Sequence, residues 1–236
     1  MKLSAPIPML KRKARLLARA GSIPLHQALD RIAADEGFGA WSLLAATAAA
    51  ARPAGKLFAR LAPGDLMLLG ARPGQGKTLM GLELAVEAMK AGQRAAFFTL
   101  EYTEREVLDR FRAIGIDCAQ FGSLFELDNS DTINAGHIAR RMAAAPHGSM
   151  VVVDYLQLLD QKRENPALMD QVRTLRSLAR AKGLIVVMIS QIDRAYDPST
   201  KAVPDLGDVR LPNPLDLRLF DKACFLNQGE MRFHSV

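Results

Sequence analysis

From residue 65 onward, short apolar runs alternate with stretches of helical spacing. Asp65–Leu69, Arg94–Leu100, Met150–Asp154 and Leu184–Ser190 are the apolar runs. Two of them, Met150-Val151-Val152-Val153 and Leu184-Ile185-Val186-Val187-Met188-Ile189, lack the every-second-residue polarity of a strand with one wet face. Continuous runs of this kind suit strands buried on both faces, as in a parallel sheet covered by helices. Between them the spacing predicts helices over Lys77–Ala91, Thr103–Ile114 and Pro166–Lys182. The alternation is that of an α/β domain. Ala195–Pro214 carries several prolines and charges with no period, which predicts a long, mobile loop. Lys222–Asn227, Gly229 and Glu230–Phe233 read as a closing hairpin.

The first sixty residues read differently. Leu10, Leu16 and Leu17 mark one side of a helix that Gly21 ends. Ser22 and Pro24 suit the start of a second, since Ser caps and Pro fits the first turn. Leu25, Leu29 and Ile32 recur at i, i+4 and i+7, an apolar face expected to pack on the larger body or on a neighbouring subunit. Trp41, Leu43 and Leu44 open a third, Ala-rich helix that stops before Pro53. The chain therefore divides into a helical N-terminal segment, 1–56, and an α/β domain, 57–236.

Composition narrows the class. With 236 residues, 49% hydrophobic and 24% charged, the chain can bury a core, which excludes whole-chain disorder. The longest uncharged apolar-leaning stretch, Ala40–Ala51, is too short for a bilayer, so no membrane partner is expected. No apolar core follows the basic N-terminus, so it is not read as a secretory signal. Cys118 and Cys224 have no ligand-like neighbours in sequence, so a reducing, cytoplasmic location is expected. The net charge of +6 is unevenly placed. Residues 1–60 hold 10 Lys/Arg against 3 Asp/Glu, whereas residues 61–236 hold 21 against 22. The cluster Lys11, Arg12, Lys13, Arg15 and Arg19 is either a solvated basic helix or a contact for nucleic-acid phosphates.

The chemistry starts at Ala71-Arg72-Pro73-Gly74-Gln75-Gly76-Lys77-Thr78. This run follows a predicted strand and opens a predicted helix, the context of a phosphate-binding loop. The strict pattern begins with Gly where this chain has Ala71. Gly74 and Gly76 allow backbone angles and close approach that a side chain would block. The loop N–H groups and the helix N-terminus would face the phosphates of ATP. Lys77 would reach the β- and γ-phosphates, and Thr78 would ligate Mg²⁺.

Three further residues end predicted strands. Asp154 closes Met150–Val153, where a carboxylate can hold a magnesium-bound water beside the phosphate loop. Glu101 follows Ala95–Leu100 at the same edge and can orient the attacking water, with Glu104 and Glu106 as competitors. Gln191, after Ile189-Ser190, is either an ordinary polar strand exit or a sensor of the γ-phosphate.

Taken together, Gly70-Ala71-Arg72-Pro73…Gly76-Lys77-Thr78, Phe98-Thr99-Leu100-Glu101, Val153-Asp154-Tyr155-Leu156-Gln157-Leu158 and Ile189-Ser190-Gln191-Ile192-Asp193-Arg194 resemble the ATPase domain of DnaB-type replicative helicases, within the RecA-like P-loop NTPases. The Asp-Tyr-Leu-Gln-Leu run is far more specific than a phosphate loop. The resemblance covers roughly residues 58–230. It implies a mostly parallel central sheet flanked by helices, preceded by the small helical segment. It also implies Glu101 as catalytic base, Gln191 as the link between nucleotide and DNA, single-stranded or forked DNA as partner, and a hexameric ring of identical chains.

Departures from the family matter too. The family's DNA-binding run is of the Asp-Leu-Arg-Glu-Ser-Gly type, where this chain has Asp208-Val209-Arg210-Leu211-Pro212-Asn213-Pro214. Arg210 keeps its place, and with Lys11, Arg12 and Lys13 it is the candidate nucleic-acid contact. The family's Lys-x-Arg-Asn-Gly finger strand is not matched, Arg232 being a poor stand-in, which implies slow hydrolysis. The expected function is that of an ATP-hydrolysing, DnaB-like DNA helicase or a helicase-related protein. The alternative is a RecA-like nucleotide-binding regulatory module with little or no unwinding. A small-molecule kinase also uses a phosphate loop, but the Asp-Tyr-Leu-Gln-Leu run argues against it. His137 and His147 show no carboxylate partner in the spacing, and Arg140-Arg141 reads as a solvated helix face.

Overall fold

The computed structural model describes residues 3–5, 7–51, 53–160, 164–211 and 213–236. The chain forms two compact units, Met1–Lys56 and Leu57–Val236.

The first unit contains helices α1 (Ile7–Ala20), α2 (Leu25–Asp35) and α3 (Trp41–Ala51). Leu10 and Ala14 of α1 bury against Ala28 and Ile32 of α2, with Leu17, Leu29 and Trp41 at the margin. A second small cluster joins Ala33, Phe38 and Leu44. Asp30 Oδ1 accepts from the Trp41 N–H at 2.9 Å, which satisfies one orphan donor at the start of α3. Leu29 and Ile32 are thus used inside this unit, and of the expected docking face only Leu25 is exposed. Ser22 is not the cap of α2. Pro24 takes that position without a side-chain bond, and Ser22 adopts φ 47° in the preceding turn.

The short helix α4 (Pro53–Phe58) precedes the second unit's sheet. Its strands are β1 (Leu66–Ala71), β2 (Ala95–Thr99), β3 (Phe125–Asp128), β4 (Met150–Asp154), β5 (Ile185–Gln191), β6 (Lys222–Asn227) and β7 (Glu230–Ser235). Among the described residues they form one sheet in the order β3-β2-β4-β5-β1-β6-β7. Every pairing is parallel except the hairpin β6–β7. The helices are α5 (Lys77–Lys90), α6 (Glu104–Ala113), α7 (Ala135–Arg141) and α8 (Leu168–Lys182). The fold is the RecA-like α/β architecture expected from the alternation.

Strands β1, β2 and β4 are buried at every position, as their continuous apolar character requires. Alternate residues serve opposite faces. Leu68, Phe98, Val151, Val153, Val186 and Met188 join one core with Ile138 of α7 and Val172 and Leu175 of α8. On the other face α5 lies against Phe97, Val152 and Ile189. It sits so close that a Cβ at Gly81 would meet Ile189 at 2.8 Å. That approach fixes the axis of the helix whose N-terminus carries Lys77 and Thr78.

Two elements were not legible in the sequence. β3 has four residues at the sheet edge, and α7 has seven. The segment expected as a free loop after β5 is instead anchored. Tyr196, Val203, Val209 and Leu215 are buried in the core, and Ile192 bridges to Val209. Asp205 and Asp216 accept backbone N–H groups at the starts of two short 3-10 turns within it. His137 and Arg141 also differ from expectation. His137 Nε2 bonds Asp128 Oδ2 at 2.7 Å, and Arg141 pairs with both Glu126 and Asp128. Among the described residues no helix is long and apolar enough to cross a membrane.

Candidate nucleotide-binding site

In a parallel sheet all strands leave at one edge, and β2, β4, β5 and β1 are consecutive neighbours. The register aligns their ends: Thr99 pairs with Asp154, Asp154 with Ile189, and Ala71 with Gln191. Every residue read from the sequence as nucleotide-facing therefore exits at this edge, as ligands in open α/β sheets require.

The phosphate loop leaves β1 after Ala71 and turns into α5. Gly74 and Gly76 take φ of 78° and 83°, with nothing within 4 Å of either Cβ position. A side chain at Gly76, the left-handed residue capping α5, would strain the turn and fill the cradle in front of the helix N-terminus. Lys77 and Thr78, the first residues of α5, are buried to 8% exposure. Arg72 and Gln75 are half-buried, whereas Pro73 is exposed. Gln75 has a partner that the sequence did not suggest. Its Oε1 accepts from the Gln228 N–H at 2.7 Å. Gln228 and Gly229, with φ of 50° and 83°, form the two-residue turn between β6 and β7. The hairpin turn thus braces the loop from the side.

Asp154 is fully buried at the end of β4. Neither carboxylate oxygen has a hydrogen-bond partner among the described residues. Burial pushes its pKa up to about 6, and the Glu101 charge adds to the rise. The nearby Thr78 hydroxyl, Lys77 and Arg110 oppose it without restoring the ordinary value. Such an orphaned acid is costly and marks a site that something else is meant to fill. Its neighbours suit a hydrated divalent cation, because a hydroxyl and a carboxylate are hard oxygen donors.

Glu101 sits two residues beyond β2, held by its own N–H donating to Thr99 Oγ1 at 3.1 Å. It is exposed, and its charge is felt at Asp154. The competing glutamates are occupied or turned away. Glu106 accepts from the N–H and hydroxyl of Thr103, both at 2.8 Å, and so closes the capping box of α6. Glu104 lines a cavity of about 180 Å³ with Val107, Leu108, Phe125, Leu127 and Asn129, toward the β3 edge. Arg110 of α6 was not foreseen. Its guanidinium stacks 4.0 Å from the Tyr102 ring centroid and acts on Asp154.

Gln191, the last residue of β5, accepts from Arg210 Nη1 at 3.2 Å through Oε1. Its carbonyl accepts from the Arg210 N–H at 2.9 Å. Arg210 is therefore brought to the nucleotide edge. Lys11, Arg12 and Lys13 are exposed on α1, in the other unit.

A parallel sheet with these strand ends around a phosphate loop defines a P-loop NTPase of the RecA-like class. Within that class, residues 54–121 and 125–215 match the DnaB-like helicase C terminal domain, and the chain belongs to this family. It is similar to the probable plasmid replicative DNA helicase of Chlamydia muridarum, 26% identical over 201 residues, covering 72% of this chain and 44% of that protein. It is 29% identical over 177 residues to the replicative DNA helicase DnaB of Synechocystis, covering 62% of this chain and 20% of that one. The chain thus spans less than half the length of these curated relatives. Among solved structures, an isolated ATPase domain superposes with a TM-score of 0.57 at 20% identity, over 71% of each chain. A DnaB-like replicative helicase studied with primase gives a TM-score of 0.60 at 20% identity, covering 92% of this chain and 65% of that one.

Proposed function

We propose that this chain binds ATP with Mg²⁺ at the sheet edge and hydrolyses it as a DnaB-like DNA helicase or helicase-related protein. The observation that carries the reading is the orphaned carboxylate of Asp154 beside Thr78 and Lys77, at the mouth of a glycine-lined loop. Loop N–H groups from Ala71 to Gly76 and the α5 N-terminus would bind the phosphates, with the Lys77 ammonium neutralising the outer two. Thr78 and Asp154 would hold Mg²⁺, whose bound charge offsets that building on the phosphate oxygens. Glu101 is exposed enough to accept a proton from water, while Glu106 is committed to its helix cap. Gln191 holds Arg210 through its amide oxygen, so a change at the nucleotide can reach the segment that carries Arg210.

Single-stranded or forked DNA is the partner this reading implies, with Arg210 as one contact and the Lys11, Arg12, Lys13 cluster as another. A hexameric ring of identical chains and a cytoplasmic location follow from the family. The test is steady-state ATP turnover with and without single-stranded DNA, on the chain and on Glu101→Gln. DNA-stimulated turnover that falls about 10²-fold or more in Glu101→Gln, with nucleotide affinity kept, supports the reading. Tight nucleotide binding with no turnover would favour a regulatory nucleotide-binding module.

A further inference from the structure

Gln157 lies three residues past Asp154, in the 3-10 turn Leu156–Asp160, and reaches across to the segment after β5. Its Nε2 donates to the Arg210 carbonyl at 2.7 Å and to Ser190 Oγ at 3.2 Å. Arg210 is consequently gripped at three points. Its N–H and its guanidinium both reach Gln191, and its carbonyl accepts from Gln157. Val209, next to it, is buried and bridged to Ile192. The other end of the Gln157 amide, Oε1, is buried and has no partner among the described residues. An amide kept at the expense of an unsatisfied oxygen is a poor packing residue, for which Leu or Met would serve better. Its donor end, by contrast, has two well-placed acceptors.

We propose that Gln157 is a positioning residue. It fixes the backbone at Arg210 so that the guanidinium rests on the Gln191 amide, and it ties that loop to the strand end bearing Asp154. The inference rests on the reading of Gln191 and Arg210 given above. Asp154 and Gln157 share one short stretch of chain, so a shift of the β4 end displaces the donor on which Arg210 depends. Two links then join the nucleotide edge to the Arg210 segment, one from β5 and one from β4.

The test uses Gln157→Leu, with Gln157→Met as a second variant of similar volume should the first fold poorly, and Arg210→Ala alone and combined with each. In Gln157→Leu, amide hydrogen exchange at Val209 and Arg210 should speed up about three- to tenfold, the effect of losing one hydrogen bond. The DNA concentration for half-maximal ATPase stimulation should rise by a similar factor, while the KM for ATP stays within about twofold. In the Arg210→Ala background the same substitution should change the DNA response no further, because its effect passes through Arg210. Unchanged exchange at Val209 and Arg210, or a full additive loss in the double variant, would overturn the proposal. A parent protein indifferent to DNA would sink the helicase reading alone, since the exchange measurement still decides whether Gln157 holds this backbone.

Discussion

The two edges of the sheet treat an aspartate in opposite ways. At the edge where strands begin, Asp221 accepts from the Leu66 N–H at 3.0 Å and from Arg180 and Arg176 at 2.9 and 3.3 Å. Burial alone would raise its pKa, but these donors outweigh it and hold the carboxyl below its ordinary value. Nearby, Lys222 pairs with Asp65. At the edge where strands end, Asp154 is more deeply buried, accepts no hydrogen bond among the described residues, and rises to about 6. The first arrangement stabilises the fold. The second costs stability and makes sense only if a cation and its phosphates complete it.

The contrast can be broken most severely at Lys77. Lys77→Ala should weaken nucleotide binding more than about 100-fold, since the phosphates lose their main cation while the core is untouched. Calorimetric titration with a nucleotide checks this, and unchanged affinity would remove the phosphate-loop assignment. At the opposite edge, Asp221→Ala should leave nucleotide affinity alone and lower stability by about 2 kcal/mol, partly screened because Arg180 is half exposed. Because the native pKa of Asp221 is lowered, its contribution is complete above the unfolded pKa near 3.8 and disappears as pH falls through the native value. Denaturant melts at pH 7 and pH 3 read that difference, and equal losses at both would contradict the pairing. A smaller effect belongs to the helical unit. Lys11, Arg12 and Lys13 changed together to Gln should flatten the salt dependence of DNA binding by up to about two to three in log–log slope. ATP affinity should not move. An unaltered slope would make α1 a solvated basic helix.

How far the sequence carried depends on the range of the interaction involved. Runs such as Met150–Val153 reveal a buried strand because their whole environment is apolar, and the phosphate loop is legible because its chemistry is contiguous. β3 escaped notice because its Phe-Glu-Leu-Asp alternates over only four residues at an edge. Residues whose partners are distant were also invisible: Gln75 meets Gln228, 153 positions away, and Gln157 meets Arg210, 53 away. The anchoring of the segment after β5 was missed for a related reason. Its prolines and aspartates signal turns, yet the burial of Tyr196, Val203 and Leu215 depends on a core assembled from other strands. Among the three glutamates after β2, the capping box that occupies Glu106 was readable as Thr103-x-x-Glu106, and it leaves Glu101 as the free carboxylate.

The most direct test is thermal unfolding of the parent chain and Asp154→Asn at pH 7, each with and without ATP and Mg²⁺. A carboxyl raised from 3.8 to about 6 is ionised at pH 7 at a cost of up to about 3 kcal/mol. That cost grows as pH climbs from about 4 to about 6 and is absent at lower pH. Without ligand, Asp154→Asn should therefore melt several degrees above the parent at pH 7 and level with it at pH 4. With ATP and Mg²⁺ the parent should gain stability and the variant should gain little. A variant that melts below the parent without ligand, or that gains as much from ATP and Mg²⁺, would contradict a metal–nucleotide role for this edge.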